Sequence, residues 1–270
     1  MKSHAAPEPG KSAQTDLEDL EFFLENARFL RERGMRQFLH LDQPTGIWNY
    51  IRMANEIARC IPPGRLLDWG CGLGQMTYLL RRRGFDVVPF EIGSTIDSAL
   101  PDMPLTRTVR PVRGSHPTQL PFGPGEFDAV LSCGVLEHVD EYSQPGNEHR
   151  SLDEIFRVLK LGGWFPIYML PQLYTWQEAI ARAIGVGYTH PRRFTASEIR
   201  AMLTQHGFEV VTLRRSNMLP KNLTGLPAPL RRLYGHFARQ ALFVDRSLSA
   251  IPGLNQVAGV LEVLARRPVT

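Results

Sequence analysis

Residues Leu66 to Gly74 read Leu-Leu-Asp-Trp-Gly-Cys-Gly-Leu-Gly, and no other stretch restricts the fold so tightly. The apolar run is a buried strand. Glycines at alternate positions then let the backbone turn sharply and let a ligand lie close against the main chain. The residues that follow have helical spacing. Strand, glycine loop and helix make the opening of a βαβ unit, with a ligand expected outside the strand's carboxyl end.

The rest of the chain repeats that alternation. Short apolar runs at 66–69, 87–91, 128–132 and 164–169 are separated by helices expected near 74–84 and 151–160. Ser151 with Glu154 forms a capping box for the second of these, and Gly162 with Gly163 closes it. Thr195 and Glu198 cap a further helix ended by Gly207, strand 208–214 follows, and Val260 to Ala265 is a last strand. Strands alternating with helices imply a parallel sheet covered on both faces. Ahead of it, residues 1–14 carry two prolines and a glycine and are expected to be a disordered tail. Residues 15–62 form a helical cap, opened by the Thr15–Glu18 capping box and stopped by Pro62, Pro63 and Gly64. The domain proper spans 63–270, with helical insertions expected at 171–194 and 217–257.

Two ligands compete for the glycine loop. A dinucleotide wants G-x-G-x-x-G with a pyrophosphate on the helix N-terminus. Here the third position is Gln75, and Asp68 would repel a pyrophosphate. S-adenosylmethionine (SAM) reverses that argument, because a carboxylate attracts its ammonium and sulfonium charges. Glu91 closes the next strand, where a carboxylate can accept both hydroxyls of a ribose.

These stretches resemble the class I SAM-dependent methyltransferases of the type 11/23 group, over roughly residues 47–216 with the last strand added. LLDWGCGLG is similar to their first motif and Glu91 to the acidic residue of their second. QLPFGPGEFDAVLSCGVLEHV (119–139) and LDEIFRVLKLGGWFPI (152–167) are similar to their fourth- and fifth-strand regions. The resemblance implies a Rossmann-like α/β fold, a seven-stranded mostly parallel sheet with an antiparallel last strand, and helices on both faces. The N-terminal helices and a helical lid are additions to it. It implies SAM as cofactor. Asp68, Gly70, Cys71, Gly72 and Gly74 would lie along its methionine part, Glu91 on the ribose, and Ser132 and Cys133 on the crevice wall. Where relatives often carry an Asp near the adenine, this chain has His116.

Methyl transfer to a hydroxyl benefits from a general base, most often His or a carboxylate. Glu137, His138 and Asp140 follow the fourth strand, and His138 is favoured because a strand's carboxyl end faces the ligand crevice. A second group, Tyr188 to Thr195 with His190 at its centre, resembles the loop before the sixth-strand helix of ubiquinone-type O-methyltransferases. Their Trp and Asp are replaced here by Arg192 and Pro191.

Composition narrows the rest. The chain carries 31 basic and 27 acidic residues, a formal charge of +4. That balance, with no long basic tract and no Asn-Pro-Pro-Tyr tetrad to hold a flipped base, argues against nucleic-acid partners. Cys60, Cys71 and Cys133 form no C-x-x-C pair, so neither a disulfide framework nor a metal ribbon is indicated, and no metal is expected. No apolar leader or spanning run occurs, which suits a cytoplasmic protein. Residues 226–249 interleave Leu230, Leu233, Tyr234, Phe237, Leu242 and Phe243 with arginines, as a lid over the domain or a peripheral membrane contact would. The expected activity is SAM-dependent methylation, at oxygen, of a small-molecule, sugar or lipid-linked acceptor. The alternative is a catalytically silent SAM-sensing module.

Overall fold

The structure is a computed structural model that describes residues 9–35, 43–93, 102–141, 145–185, 189–221 and 227–269. Its centre is one seven-stranded sheet. The strands are β1 (Arg65–Trp69), β2 (Asp86–Glu91), β3 (Val112–Arg113), β4 (Phe127–Cys133), β5 (Leu159–Pro171), β6 (Glu209–Ser216) and β7 (Val260–Arg266), in the order β3-β2-β1-β4-β5-β7-β6. β1 to β5 pair in parallel, and β7 runs antiparallel to both β5 and β6.

The central strands are apolar on both faces because both faces are covered. On one face, α1 (Pro9–Glu32), α2 (Pro44–Cys60) and α3 (Gln75–Arg81) bury Phe23, Ile47, Ile51, Ile57 and Leu79 against Leu66, Ala129 and Leu131. On the other, α5 (Asn147–Val158) and α7 (Ala196–Gln205) bury Ile155, Ile199 and Leu203 against Leu67, Val130 and Ile167. α4 (Pro104–Thr108) and α6 (Trp176–Ile184) are short. Thr195 caps α7 as the sequence predicts: its hydroxyl accepts from Glu198 N at 3.1 Å, and the Glu198 carboxylate accepts from Thr195 N at 3.3 Å.

Three local expectations are corrected. Residues 9–14 are helical, so α1 passes through Thr15 instead of starting there; residues 1–8 of the expected tail lie outside the described residues. α5 starts at Asn147 behind Gly146, whose φ of 92° makes the entry turn, so Ser151 is a buried interior residue. Glu154 instead accepts from Leu120 N at 3.1 Å and pairs with Arg157. Gly162 and Gly163 do not close that helix. They lie within β5, and Gly162 N donates at 2.9 Å to Arg267 O, just after the end of β7.

The insertion between β6 and β7 carries α8 (Ala228–His236) and α9 (Ala238–Ser249), which pack on α2 and β6. Arg239 lies 5.1 Å from the Trp48 ring, and the buried Asp245 accepts from Leu219 N at 2.6 Å and pairs with Lys221 at 3.0 Å. Residues 222–226 of this segment and 186–188 of the other insertion lie outside the described residues. Between α2 and the β6–β7 edge, Glu262 is buried between Arg52 at 2.5 Å and Arg214 at 2.6 Å, and Glu56 pairs with both arginines.

Candidate active site

The carboxyl ends of β1, β2 and β4 enclose a cavity of about 340 Å³, a size suited to a nucleoside-containing ligand. Its floor is the glycine loop. Gly70 N and Cys71 N both donate to Phe90 O at 2.9 Å, which draws the loop onto the end of β2. Gly70, Gly72 and Gly74 all have positive φ, at 69°, 53° and 89°. Their surroundings differ. A Cβ on Gly70 would meet Val135 at 2.7 Å and one on Gly74 would meet Val109 at 2.5 Å, whereas one on Gly72 would point into open space. Gly70, which also lines the cavity, and Gly74 therefore abut apolar side chains, and Gly72 is the position with open space beside its Cα.

Glu91 stands at the cavity edge with its carboxylate held by two amides, Gly72 N to Oε2 at 2.8 Å and Ile92 N to Oε1 at 2.9 Å. Each oxygen keeps a further lone pair for a hydroxyl donor. Phe90, Ile92, Pro117, Val135 and Val139 supply apolar walls. An open glycine, an anchored acceptor carboxylate and apolar walls fit SAM: a flat adenine, a diol and an extended cationic tail.

Asp68 is not on that surface. It is 2 % exposed, accepts a 2.5 Å hydrogen bond from the Thr77 hydroxyl on α3, and burial pushes its pKa up to about 6. Cys71 is also buried, and both its thiol and that of Cys133 are raised by desolvation, which suits neither to act as a nucleophile. Ser132, opposite Trp69 in the sheet, is buried. Cys133 packs with the α2-side core. His116 turns away into a local bond, Nδ1 to the Thr118 hydroxyl at 2.7 Å, and its neighbour Pro117 forms the wall. Asp140 caps the start of α5, accepting from Gly146 N and Glu148 N at 3.2 Å each.

The three residues singled out for catalysis do converge. One carboxylate oxygen of Glu137 and one ring nitrogen each of His138 and His190 lie within 4.8 Å of one another. Glu137 and His138 sit on a 3-10 turn, Leu136–Glu141, directly after β4, and His190 arrives from the segment between α6 and α7. His138 lines the cavity, and its Nε2 is 3.9 Å from Glu137 Oε1. Each histidine is oriented by a carboxylate on Nδ1: Glu141 for His138 at 2.9 Å, Glu178 for His190 at 2.6 Å. Glu137 is 3 % exposed, and among the described residues its Oε2 has no hydrogen-bond partner. Burial raises its carboxyl to a pKa of about 7.

Sequence reasoning missed Ile92, Pro117 and Val135 as wall residues and Glu141 and Glu178 as the histidines' partners. Glu141 was within reach, three residues after His138 on one turn. Glu178 carries no signal, since only the return of the chain after α6 brings it to His190.

A family model described as a methyltransferase domain matches residues 47–213, well over half of the chain. None of the curated protein sequences matches. Among solved structures, a SAM-dependent methyltransferase from Thermotoga maritima is 17% identical, with 90% of this chain and 97% of that chain covered at a TM-score of 0.53. A SAM-dependent methyltransferase from Archaeoglobus fulgidus is 16% identical, with 82% and 93% covered at 0.54. The [4+2]-cyclase SpnF is 22% identical, with 82% and 81% covered at 0.52. At these identities the likeness is one of fold, and the family match carries the activity. The chain belongs to the methyltransferase-domain family and is a class I SAM-dependent methyltransferase, with S-adenosylmethionine as its cofactor.

Proposed function

We propose that the enzyme methylates a hydroxyl oxygen of a small or lipid-linked acceptor. The observation that carries this reading is the convergence of Glu137, His138 and His190 beside the cavity. Bound SAM supplies a methyl group activated on a sulfonium. The chain's own residues do the remaining work. Glu91 holds the ribose hydroxyls, Gly72 lets the methionine part lie against the loop, and Phe90, Ile92 and Pro117 enclose the adenine. An acceptor hydroxyl held at the histidine–glutamate trio would be placed to receive the sulfonium methyl, with S-adenosylhomocysteine as the leaving group, and Glu137 or His138 would take up its proton. Holding the reactants in line accounts for much of the rate. Proton uptake at Glu137 or at the Nε2 of His138, with Glu141 balancing the imidazolium, adds roughly 10²–10⁴-fold.

A lipid-linked acceptor is favoured by the outer surface of α8 and α9. Leu230, Leu233, Phe237 and Val244 are exposed there, Phe243 is 74 % exposed, and Arg232 is exposed on α8 as well. Such a surface suits the interface of an anionic bilayer. No helix among the described residues is long and apolar enough to cross a membrane.

The test is incubation of the enzyme with methyl-deuterated SAM and pooled metabolite and lipid extracts, followed by mass spectrometry. The expected product carries one labelled methyl as an ether. Exclusive labelling of nitrogen or carbon would overturn the oxygen assignment.

A further inference from the structure

The trio has a second-layer arrangement that acid–base chemistry alone does not require. A carboxylate can only accept, so the Nδ1 of His138 facing Glu141 and the Nδ1 of His190 facing Glu178 carry the ring protons. In the neutral rings the lone pair of each histidine is then on Nε2. Pairing of each ring with a carboxylate through its other nitrogen is how ligating histidines are fixed in tautomer and orientation. The third member, Glu137, is buried, and its Oε2 has no hydrogen-bond partner among the described residues. A buried carboxylate oxygen left unbonded needs a counter-charge or a proton.

We propose that Glu137, His138 and His190 bind a divalent transition-metal ion of the manganese-to-zinc series. Two imidazoles with one carboxylate suit these borderline ions and not magnesium or calcium, which take oxygen ligands. Metal–ligand bonds near 2.0–2.2 Å set ligand separations of roughly 3–3.5 Å. The 3.9 Å between His138 Nε2 and Glu137 Oε1, and the 4.8 Å limit for the set, close by roughly 0.5–2 Å of side-chain rotation. Gly134 contributes to this fit. Its φ is 70°, it lines the cavity, and a Cβ there would lie in van der Waals contact with the Glu137 carboxylate at 3.7 Å, so the residue between cavity and carboxylate is the smallest the chain can offer. Three protein ligands leave coordination positions open, as in catalytic and not in structural metal sites, and one of the three, His138, lines the cavity. The proposal rests on the functional reading above for what fills those positions and changes one step of it: with the ion on Glu137 and the Nε2 of His138 those atoms no longer take up the proton, and an ion-bound acceptor hydroxyl, its pKa lowered, would lose its proton to solvent.

The full chain, stripped with a chelator, is titrated with Co²⁺ followed by visible absorption and with Zn²⁺ followed by calorimetry. We expect one equivalent bound, with ligand-field bands of a four- or five-coordinate site. His190→Ala and Glu137→Gln should each lose binding by more than about 100-fold, and Glu141→Gln by roughly 10–100-fold. S-adenosylhomocysteine binding by His190→Ala should stay within about threefold of the parent, which reports a folded chain. Absence of stoichiometric binding overturns the proposal. So does an affinity unchanged in His190→Ala but lost in His206→Ala, which would move the ion to the His149–His206 pair, 2.8 Å apart beside Asp153. Methyl transfer to hydroxyl acceptors is followed in parallel. Binding without transfer supports the metal site and overturns the acceptor reading alone; transfer without binding does the reverse.

Discussion

The backbone N–H of Gly72 donates to Glu91 Oε2 at 2.8 Å, so the loop after β1 and the carboxylate ending β2 form one rigid edge of the cavity. The bond fixes each partner's position against the other. That preorganisation lowers the cost of ordering the site on binding.

Glu91→Ala should therefore weaken SAM binding through two losses, the ribose hydrogen bonds and the anchor of the loop. Hydrogen bonds to a charged group are worth about 1.5–3 kcal/mol each, so a loss of about 2–4 kcal/mol is expected. Calorimetry measures it. Unchanged affinity would reduce Glu91 to an ordinary strand end.

The glycines separate packing from ligand contact. Gly74→Ala should destabilise the fold by about 2–3 kcal/mol, from a left-handed backbone plus a collision with Val109. Gly72→Ala meets no protein atom within 4 Å and should cost about 1 kcal/mol of stability, yet it should reduce SAM affinity at least tenfold by filling the ligand's side of the loop. Denaturant melts and calorimetry on the two variants distinguish these outcomes. Normal SAM binding by Gly72→Ala would show that the ligand does not lie there.

Asp68 sets a pH dependence. Its carboxyl keeps a proton up to about pH 6 in the folded chain and ionises near 3.8 when unfolded. Between those values the folded state binds more protons, so this group's contribution makes stability fall as pH rises from about 4 to about 6. It is constant outside that window. Asp68→Asn stays neutral, so its stability relative to the parent should rise by up to about 3 kcal/mol across the window. Parallel urea titrations at pH 4, 5, 6 and 7 would show a flat difference if the carboxyl were not desolvated.

The buried ion network on the α2 face predicts a large stability effect remote from the cavity. Arg52→Met leaves Glu262 and Glu56 with Arg214 as their shared partner and should cost about 3 kcal/mol. SAM affinity of the folded variant should be unaffected. A change below 1 kcal/mol in chemical denaturation would mean that Arg214 alone neutralises the pair.

The exposed apolar surface of α8 and α9 predicts vesicle binding. Leu233→Glu with Phe243→Glu should leave the melting temperature within a few degrees, since both side chains are exposed, and weaken sedimentation with anionic phospholipid vesicles at least tenfold. Equal sedimentation of parent and variant would remove the membrane reading.

The sequence by itself determined the architecture and the cofactor. Alternating apolar runs and helices could be satisfied only by a doubly covered sheet, because each buried strand needs apolar partners on both faces. The left-handed backbone of Gly72 and the place of Glu91 at the end of β2 were legible because loop conformation and strand-end position are local properties. Tertiary structure alone decided the rest. Asp68 carries a charge in the sequence, but only the packing of α3 turns it to Thr77 and away from the cavity. Ser151 and Glu154 match a capping box, yet Gly146 begins the helix a turn earlier because its left-handed backbone makes the turn the chain needs there. Glu137, His138 and His190 could be named from the chain, but their meeting, and the carboxylates behind the two rings, depend on the chain's return after α6. Sequence spacing encodes neighbours along one element, and contacts between distant elements arise only when the sheet closes its core.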